Sequence, residues 1–179
     1  MKFFAIKHSK LAYLADFVFY GVAIMALALM VILDQSSLSA LKVGLIVLLG
    51  LVSWTLLEYV LHRFVLHHLA PFSHWHASHH HEPKALICAP TIVSAALIAV
   101  FIFLPTLLIA GLPIANAFTL GVLMGYLFYA STHHAIHHLH TQSKWLKQRK
   151  HWHARHHYNT QIANYGVTTL FWDYVFSTN

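Results

Sequence analysis

The sequence predicts an all-α integral membrane bundle of about four transmembrane helices, carrying a cytoplasmic, histidine-rich helical cap. Three observations predict it. The 179 residues are 58% hydrophobic and only 9% charged, against roughly 25% charged in an average soluble domain. The apolar residues gather into four long runs. Of the 18 histidines, all but His8 fall between residues 62 and 157, in clusters that the order of the runs brings to one side of a membrane.

A chain of this length is expected to form one domain, residues 1–179. Lys2, Lys7 and Lys10 precede the first apolar run, Leu11 to Leu33, which has the ~20 residues that a bilayer-spanning helix needs. A cleaved signal peptide would have a shorter apolar region, of about 7–15 residues, so an uncleaved first span is expected. Asp16, near its end, is expected to reach the interface. Asp34-Gln35-Ser36-Ser37 is a polar turn, and a second span follows from Leu41 to Leu61. The histidine-rich loop then covers His62 to Lys84. The third apolar region, Ala85 to Ala110, contains two prolines. Pro90 suits a helix start, while Pro105 is expected to kink or end the helix. Gly111-Leu112-Pro113 is a tight turn, and the fourth span runs from Ile114 to Ser131. The third and fourth runs read equally as a hairpin that dips into the membrane without crossing, with the same topology.

Orientation follows from charge. With four spans, both termini and the 62–84 loop share a side, and that side carries every Lys and Arg except Lys42. Cytoplasmic loops carry the excess of Lys and Arg, so both termini and all the histidine clusters are placed in the cytoplasm. The net charge of +6 does not indicate nucleic acid, because the basic residues flank apolar spans instead of forming a basic soluble face. Cys88 is the one cysteine, which excludes an internal disulfide and a cysteine-based zinc module. A metal site here must be built from imidazole, which suits Fe, Zn, Cu or Ni rather than Ca or Mg.

The histidines follow a pattern. His74-Trp75-His76-Ala77-Ser78-His79-His80 recurs with a single change as His151-Trp152-His153-Ala154-Arg155-His156-His157. Helical positions i, i+3 and i+4 share a face, so His76, His79 and His80 are expected to aim at one point, and so are His153, His156 and His157. Residues 132–138 offer two i, i+4 pairs, His133 with His137 and His134 with His138. His62 and His67 are five apart; an α-helix serves that spacing poorly, so the chain is expected to bend or leave the membrane between them. One ion takes at most about six ligands, so ten imidazoles imply two metals with about five each. A ligating imidazole usually donates its second N–H to a carboxylate or carbonyl. Glu58, one turn before His62, and Asp173 are the candidates for that role; a helix or turn cap is the other role open to Asp173. A His-rich transporter is the contrasting possibility. Transport sites lie at mid-membrane, and the spans as drawn hold no histidine.

These residues, in this order, resemble the fatty acid hydroxylase and sterol desaturase superfamily of membrane di-iron enzymes, from about Leu57 to Ser177. Glu58-Tyr59-Val60-Leu61-His62-Arg63-Phe64-Val65-Leu66-His67 is similar to the first box, and His76-Ala77-Ser78-His79-His80-His81-Glu82-Pro83 to the second. Tyr129-x-x-Thr132-His133 followed by His137 resembles the third, which favours His133 and His137 over His134 and His138. His153-Ala154-Arg155-His156-His157-Tyr158 and the stretch 166–176 resemble the closing box and tail. Ala130 stands where the family often has an acid, and Asn164-Tyr165-Gly166 where it often has Gly-Phe-Gly. The resemblance implies two iron ions, replaceable by zinc in isolated protein, with O2 as co-substrate. The metal set it implies is His62, His67, His76, His79, His80, His133, His137, His153, His156 and His157. It further implies a membrane lipid substrate, fatty-acyl or sterol-like, whose C–H bond gains a hydroxyl; a double bond is the alternative outcome, and a carotenoid ring the alternative substrate. The chain shows no haem-binding donor domain and no dinucleotide-binding glycine fingerprint, so a separate electron-donor protein is expected.

Overall fold

A computed structural model describes residues 7–34, 38–158 and 163–179. Lys2 and the Gln35-Ser36-Ser37 part of the expected turn lie outside them. The described residues form α1 (Lys10–Leu33), α2 (Ala40–Val60), α3 (Phe72–His81), α4 (Thr91–Ile98), α5 (Leu104–Ala110), α6 (Leu112–His138), α7 (Lys144–Tyr158) and α8 (Phe171–Val175). A π-helical segment, Leu61–Leu66, continues α2, and a second, Ala99–Phe103, joins α4 to α5. Four helices are long and apolar enough to cross a membrane: Lys10–Leu33, Ala40–Leu66, Thr91–Ala110 and Leu112–His138.

Three expectations change here. Pro105 does not end its helix: the π-helical turn before it carries the backbone through to Ala110, and Pro105 opens α5, where a missing N–H costs least. The tight turn is confined to Gly111, whose φ of 79° is costly for any residue with a Cβ. The second and fourth spans do not stop at Leu61 and Ser131. Their helices run on to Leu66 and His138, so His62, His133 and His137 sit on the ends of the membrane helices themselves and not in the loops that follow them.

The chain divides into two compact units. One comprises 11–54 and 89–127. Within it α2 and α6 approach so closely that a Cβ on Gly50 would lie 2.2 Å from the Phe118 carbonyl oxygen, and one on Gly121 2.0 Å from that of Val47. Small residues allow this backbone contact between membrane helices. Asp16 is buried rather than interfacial. It accepts a hydrogen bond from the Tyr126 hydroxyl at 3.3 Å, and Tyr126 packs against Tyr20, whose hydroxyl pairs with Ser94 at 2.7 Å. A carboxyl in an apolar bundle finds polar partners because none is available in hydrocarbon. The helix Thr91–Ala110 buries none of its residues, and Ile92, Leu108 and Ile109 are more than three-quarters exposed. Lipid, not water, accommodates such a surface.

The other unit comprises 7–10, 55–88 and 128–179. Ile136 of α6, Leu146 of α7 and Val167 of the C-terminal tail form its apolar core, with Tyr129 and Ala135 packed against them. The N-terminal segment is tied in by the His8 N–H, which donates to the Leu86 carbonyl at 2.9 Å, and by a Lys7–Glu82 ion pair of 2.6 Å.

Candidate metal centre

All ten expected imidazoles lie in this second unit, and nine of them fall into two groups. In the first, His62, His67, His76, His80 and His156 bring their ring nitrogens within 4.8 Å of one another, and in the second His79, His133, His137 and His153 do the same. His157 adjoins the second group, with Nε2 3.0 Å from that of His153. His134 and His138 stack on each other, ring centroids 4.6 Å apart, and belong to neither group.

Local backbone explains the membership. The π-helical segment widens the turn to i→i+5 hydrogen bonding and ends at Leu66, so His62, inside it, and His67, the residue that follows it, meet the same group. The expected departure from the α-helix between them takes the form of this π-helical turn. The two H-x-x-H-H stretches do not aim three rings at one point. Positions i and i+4 lie close in angle, whereas i+3 falls to the other side of i. On α3, His76 and His80 go to the first group and His79 to the second. On α7 the assignment is swapped: His153 goes to the second, with His157 beside it, and His156 to the first. The repeated sequence thus supplies a pair to one group and a single ring to the other, once in each sense.

The nitrogens crowd more than hydrogen bonding explains. His76 Nε2 lies 3.0 Å from His62 Nε2, 3.1 Å from His67 Nε2 and 2.9 Å from His80 Nε2. One N–H proton cannot serve three such neighbours. In the second group His153 Nε2 faces His137 Nε2 at 2.9 Å and His157 Nε2 at 3.0 Å, and both ring nitrogens of buried His79 lack a hydrogen-bond partner. Two imidazoles bound side by side at right angles on one ion, each at about 2.1 Å, would place their nitrogens roughly 3.0 Å apart. Burial, reinforced by neighbouring imidazoles, holds these rings neutral. His67 is pushed down to about 4, His79 to about 3, and His76 and His153 well below the usual histidine range. Burial also takes His156 to about 3, against the opposing hydrogen bond to Ala163. Neutral rings present the lone pairs that a metal needs. The donor set therefore fits two metal ions.

Backbone carbonyls, not carboxylates, receive the second N–H of two rings. His62 Nδ1–H donates to the Tyr165 carbonyl at 2.5 Å and His156 Nδ1–H to the Ala163 carbonyl at 2.7 Å. Glu58 and Asp173, expected to take this role directly, act one layer further out. Glu58 accepts from the Val167 N–H at 2.6 Å, the Thr168 N–H at 2.9 Å and the Thr168 hydroxyl at 2.5 Å. Asp173 accepts from the Tyr165 and Gly166 N–H groups, each at 2.8 Å, and from the Thr178 hydroxyl at 2.9 Å. Burial pushes its carboxyl up, against these hydrogen bonds. A Cβ on Gly166 would stand 1.9 Å from the Thr169 carbonyl oxygen and 2.8 Å from the Asp173 carboxylate, so the loop closes only around glycine. The carbonyls of Ala163 and Tyr165 had no signature in the sequence, since any residue supplies one.

Comparison with known proteins agrees with this geometry. The model of the fatty acid hydroxylase family matches residues 47–178, which span both groups and the tail. The chain belongs to the fatty acid hydroxylase family. It is 37% identical over 148 residues to a dihydroceramide fatty acyl 2-hydroxylase of Arabidopsis thaliana, covering 76% of this chain and 61% of that one. It is 33% identical over 144 residues to a ceramide very long chain fatty acid hydroxylase of Schizosaccharomyces pombe, covering 73% of this chain and 41% of that one. The chain thus spans about 60% or less of the length of these fatty acid hydroxylase relatives. Among solved structures, the hydroxylase domain of scs7p superposes with a TM-score of 0.70 at 29% identity, covering 94% of this chain and 64% of that one.

Proposed function

We propose that this chain is an O2-dependent, di-iron lipid hydroxylase that acts on a fatty-acyl chain, with the acyl chain of a ceramide-type lipid as the leading substrate. The observation that carries it is the pair of adjoining imidazole groups in a member of this family; the activities named for the relatives direct the substrate choice. His62, His67, His76, His80 and His156 would hold one iron, and His79, His133, His137, His153 and His157 the other. When bound, the irons supply the redox chemistry that activates O2. The net reaction, R–H + O2 + 2 e⁻ + 2 H⁺ → R–OH + H2O, requires two electrons from a separate donor protein.

The chain's own residues do four things. The ten imidazoles would serve as the ligands, with no protein carboxylate among them. The Tyr165 and Ala163 carbonyls hold His62 and His156 with Nδ1 protonated and Nε2 turned inward. Glu58 and Asp173 hold those carbonyls in place through the loop N–H groups. Burial of His62, His79, His153 and His156 keeps water from the reacting atoms. The topology we infer puts both termini and the imidazoles in the cytoplasm, from the excess of Lys and Arg on that side.

Mass spectrometry of total lipids from cells expressing the chain, beside cells expressing His156→Ala, tests this reading. A lipid heavier by one oxygen with the intact chain alone is expected. A product lighter by two hydrogens would make it a desaturase. Metal uptake that depends on the chain, without lipid change, would make it a transporter.

A further inference from the structure

The outer face of α7 carries a charge pattern that the centre does not use. Between Glu82 and Asp173 the sequence has no Asp or Glu at all. Within that interval α7 holds Lys144, Lys147, Arg149, Lys150 and Arg155. Arg149 turns inward and is buried, and Lys150 Nζ donates to the Leu139 carbonyl. Lys144, Lys147, His151 and Arg155 are exposed and recur at helical spacing, so they form one stripe. Among the described residues no ion pair involves α7; the pair that forms is Lys7 with Glu82. Lys144 and Lys147 lie in the first turn, which has no acidic residue, although a helix N-terminus favours acids and disfavours cations. Like charges at this spacing destabilise a helix further. Lys144 and Lys147 are therefore held against the local preference of their helix, while Arg155, in the last turn, suits it.

We infer that this stripe is the docking surface for a small electron-carrying protein with an acidic face, an inference that rests on the hydroxylase reading above. Two observations choose that occupant over anionic lipid. A helix lying on a membrane sinks an apolar face into it, but the face of α7 opposite the stripe is filled by Leu146, Arg149, His153 and His156, all buried. The stripe and those imidazoles occupy opposite sides of one helix, so a protein docked on it would stand about one helix diameter, ~10–12 Å, from the centre it must reduce. A single-sign surface also steers an oppositely charged partner and raises its on-rate.

The probe is a plant-type [2Fe–2S] ferredoxin, a small acidic electron carrier, offered to the full chain in phosphatidylcholine nanodiscs. Expected are an affinity that falls as salt rises and at least a tenfold loss in Lys144→Glu/Lys147→Glu/Arg155→Glu. Lys144→Gln/Lys147→Gln should give a smaller loss, and Lys42→Glu, on α2, no change. Unchanged metal content in these variants would show that they fold. No binding by the wild-type chain, or equal binding by the triple variant, would overturn the proposal. So would a wild-type affinity that drops to the triple variant's when phosphatidylserine is added to the disc, since that gives the stripe to lipid headgroups. Product formation driven by dithionite separates the two readings: its absence in the wild type counts against the hydroxylase alone, whatever the ferredoxin does.

Discussion

The two imidazole groups draw on the same two repeated stretches yet are supported differently. In the first, the Ala163 and Tyr165 carbonyls fix the tautomers of His156 and His62, and two buried carboxylates hold the loop that presents those carbonyls. In the second, His79 has neither ring nitrogen hydrogen-bonded, and Nδ1 of His153 and of His157 is likewise without a partner. Among the described residues, the tail, remote in sequence from the first two boxes, thus buttresses one imidazole group and not the other. Outer hydrogen bonds raise ligand basicity and orient the ring, so the first group should hold its ion more tightly and should alone respond to changes in the tail.

Several substitutions test this contrast. The largest effects are expected from the imidazoles themselves. His76→Ala and His153→Ala should each remove one metal per chain and lower product formation by roughly a hundredfold or more, as metal analysis and lipid mass spectrometry would show. His80→Ala and His156→Ala should abolish activity while leaving membrane insertion intact; full activity in either would contradict the assignment. Gly166→Ala comes next. The added methyl meets the Thr169 carbonyl, so the loop must shift and iron should be lost from the first group while the second stays loaded. Glu58→Gln keeps the shape but turns an amide toward N–H donors. It should weaken iron at the first group by about 10–100-fold in a metal titration; an equal effect on both groups would erase the contrast. The mildest effect is on the metal-free chain. Half-buried His67 and buried His79 and His156 have values pushed down to about 4, 3 and 3, while in an unfolded chain histidine titrates near 6.5. Below about pH 6.5 the unfolded state therefore binds more protons, so stability is full above that pH and declines as pH falls toward 3. Thermal unfolding of the apo chain from pH 8 to pH 4 should show a falling midpoint; a flat profile would contradict the burial of these rings.

Much of this was legible in the sequence because it is carried by side-chain type and spacing. Composition and run length announced the four membrane helices, and the histidine clusters announced the ten imidazoles. What stayed hidden depends on backbone. A five-residue gap between His62 and His67 looked unhelical because the α-helix is the default, and nothing in Leu61–Leu66 signals a π-helical turn. The H-x-x-H-H stretches showed a shared face but not the second group that divides it, since a helix's neighbours do not appear in its own spacing. The carbonyls of Ala163 and Tyr165 are invisible to any reading of side chains, so Glu58 and Asp173 were credited with a contact that the loop makes. Asp16 was misplaced because a carboxylate near a helix end usually finds water, and here it found Tyr126.

The most direct test of the account is iron counted per chain after reconstitution, in the wild-type protein and in His76→Ala and His153→Ala side by side. Two separately built groups predict about two irons in the wild type and about one in each variant, the remaining iron differing spectroscopically between them. A wild-type content of one or none, or loss of all iron from either single variant, would contradict two sites of five imidazoles each.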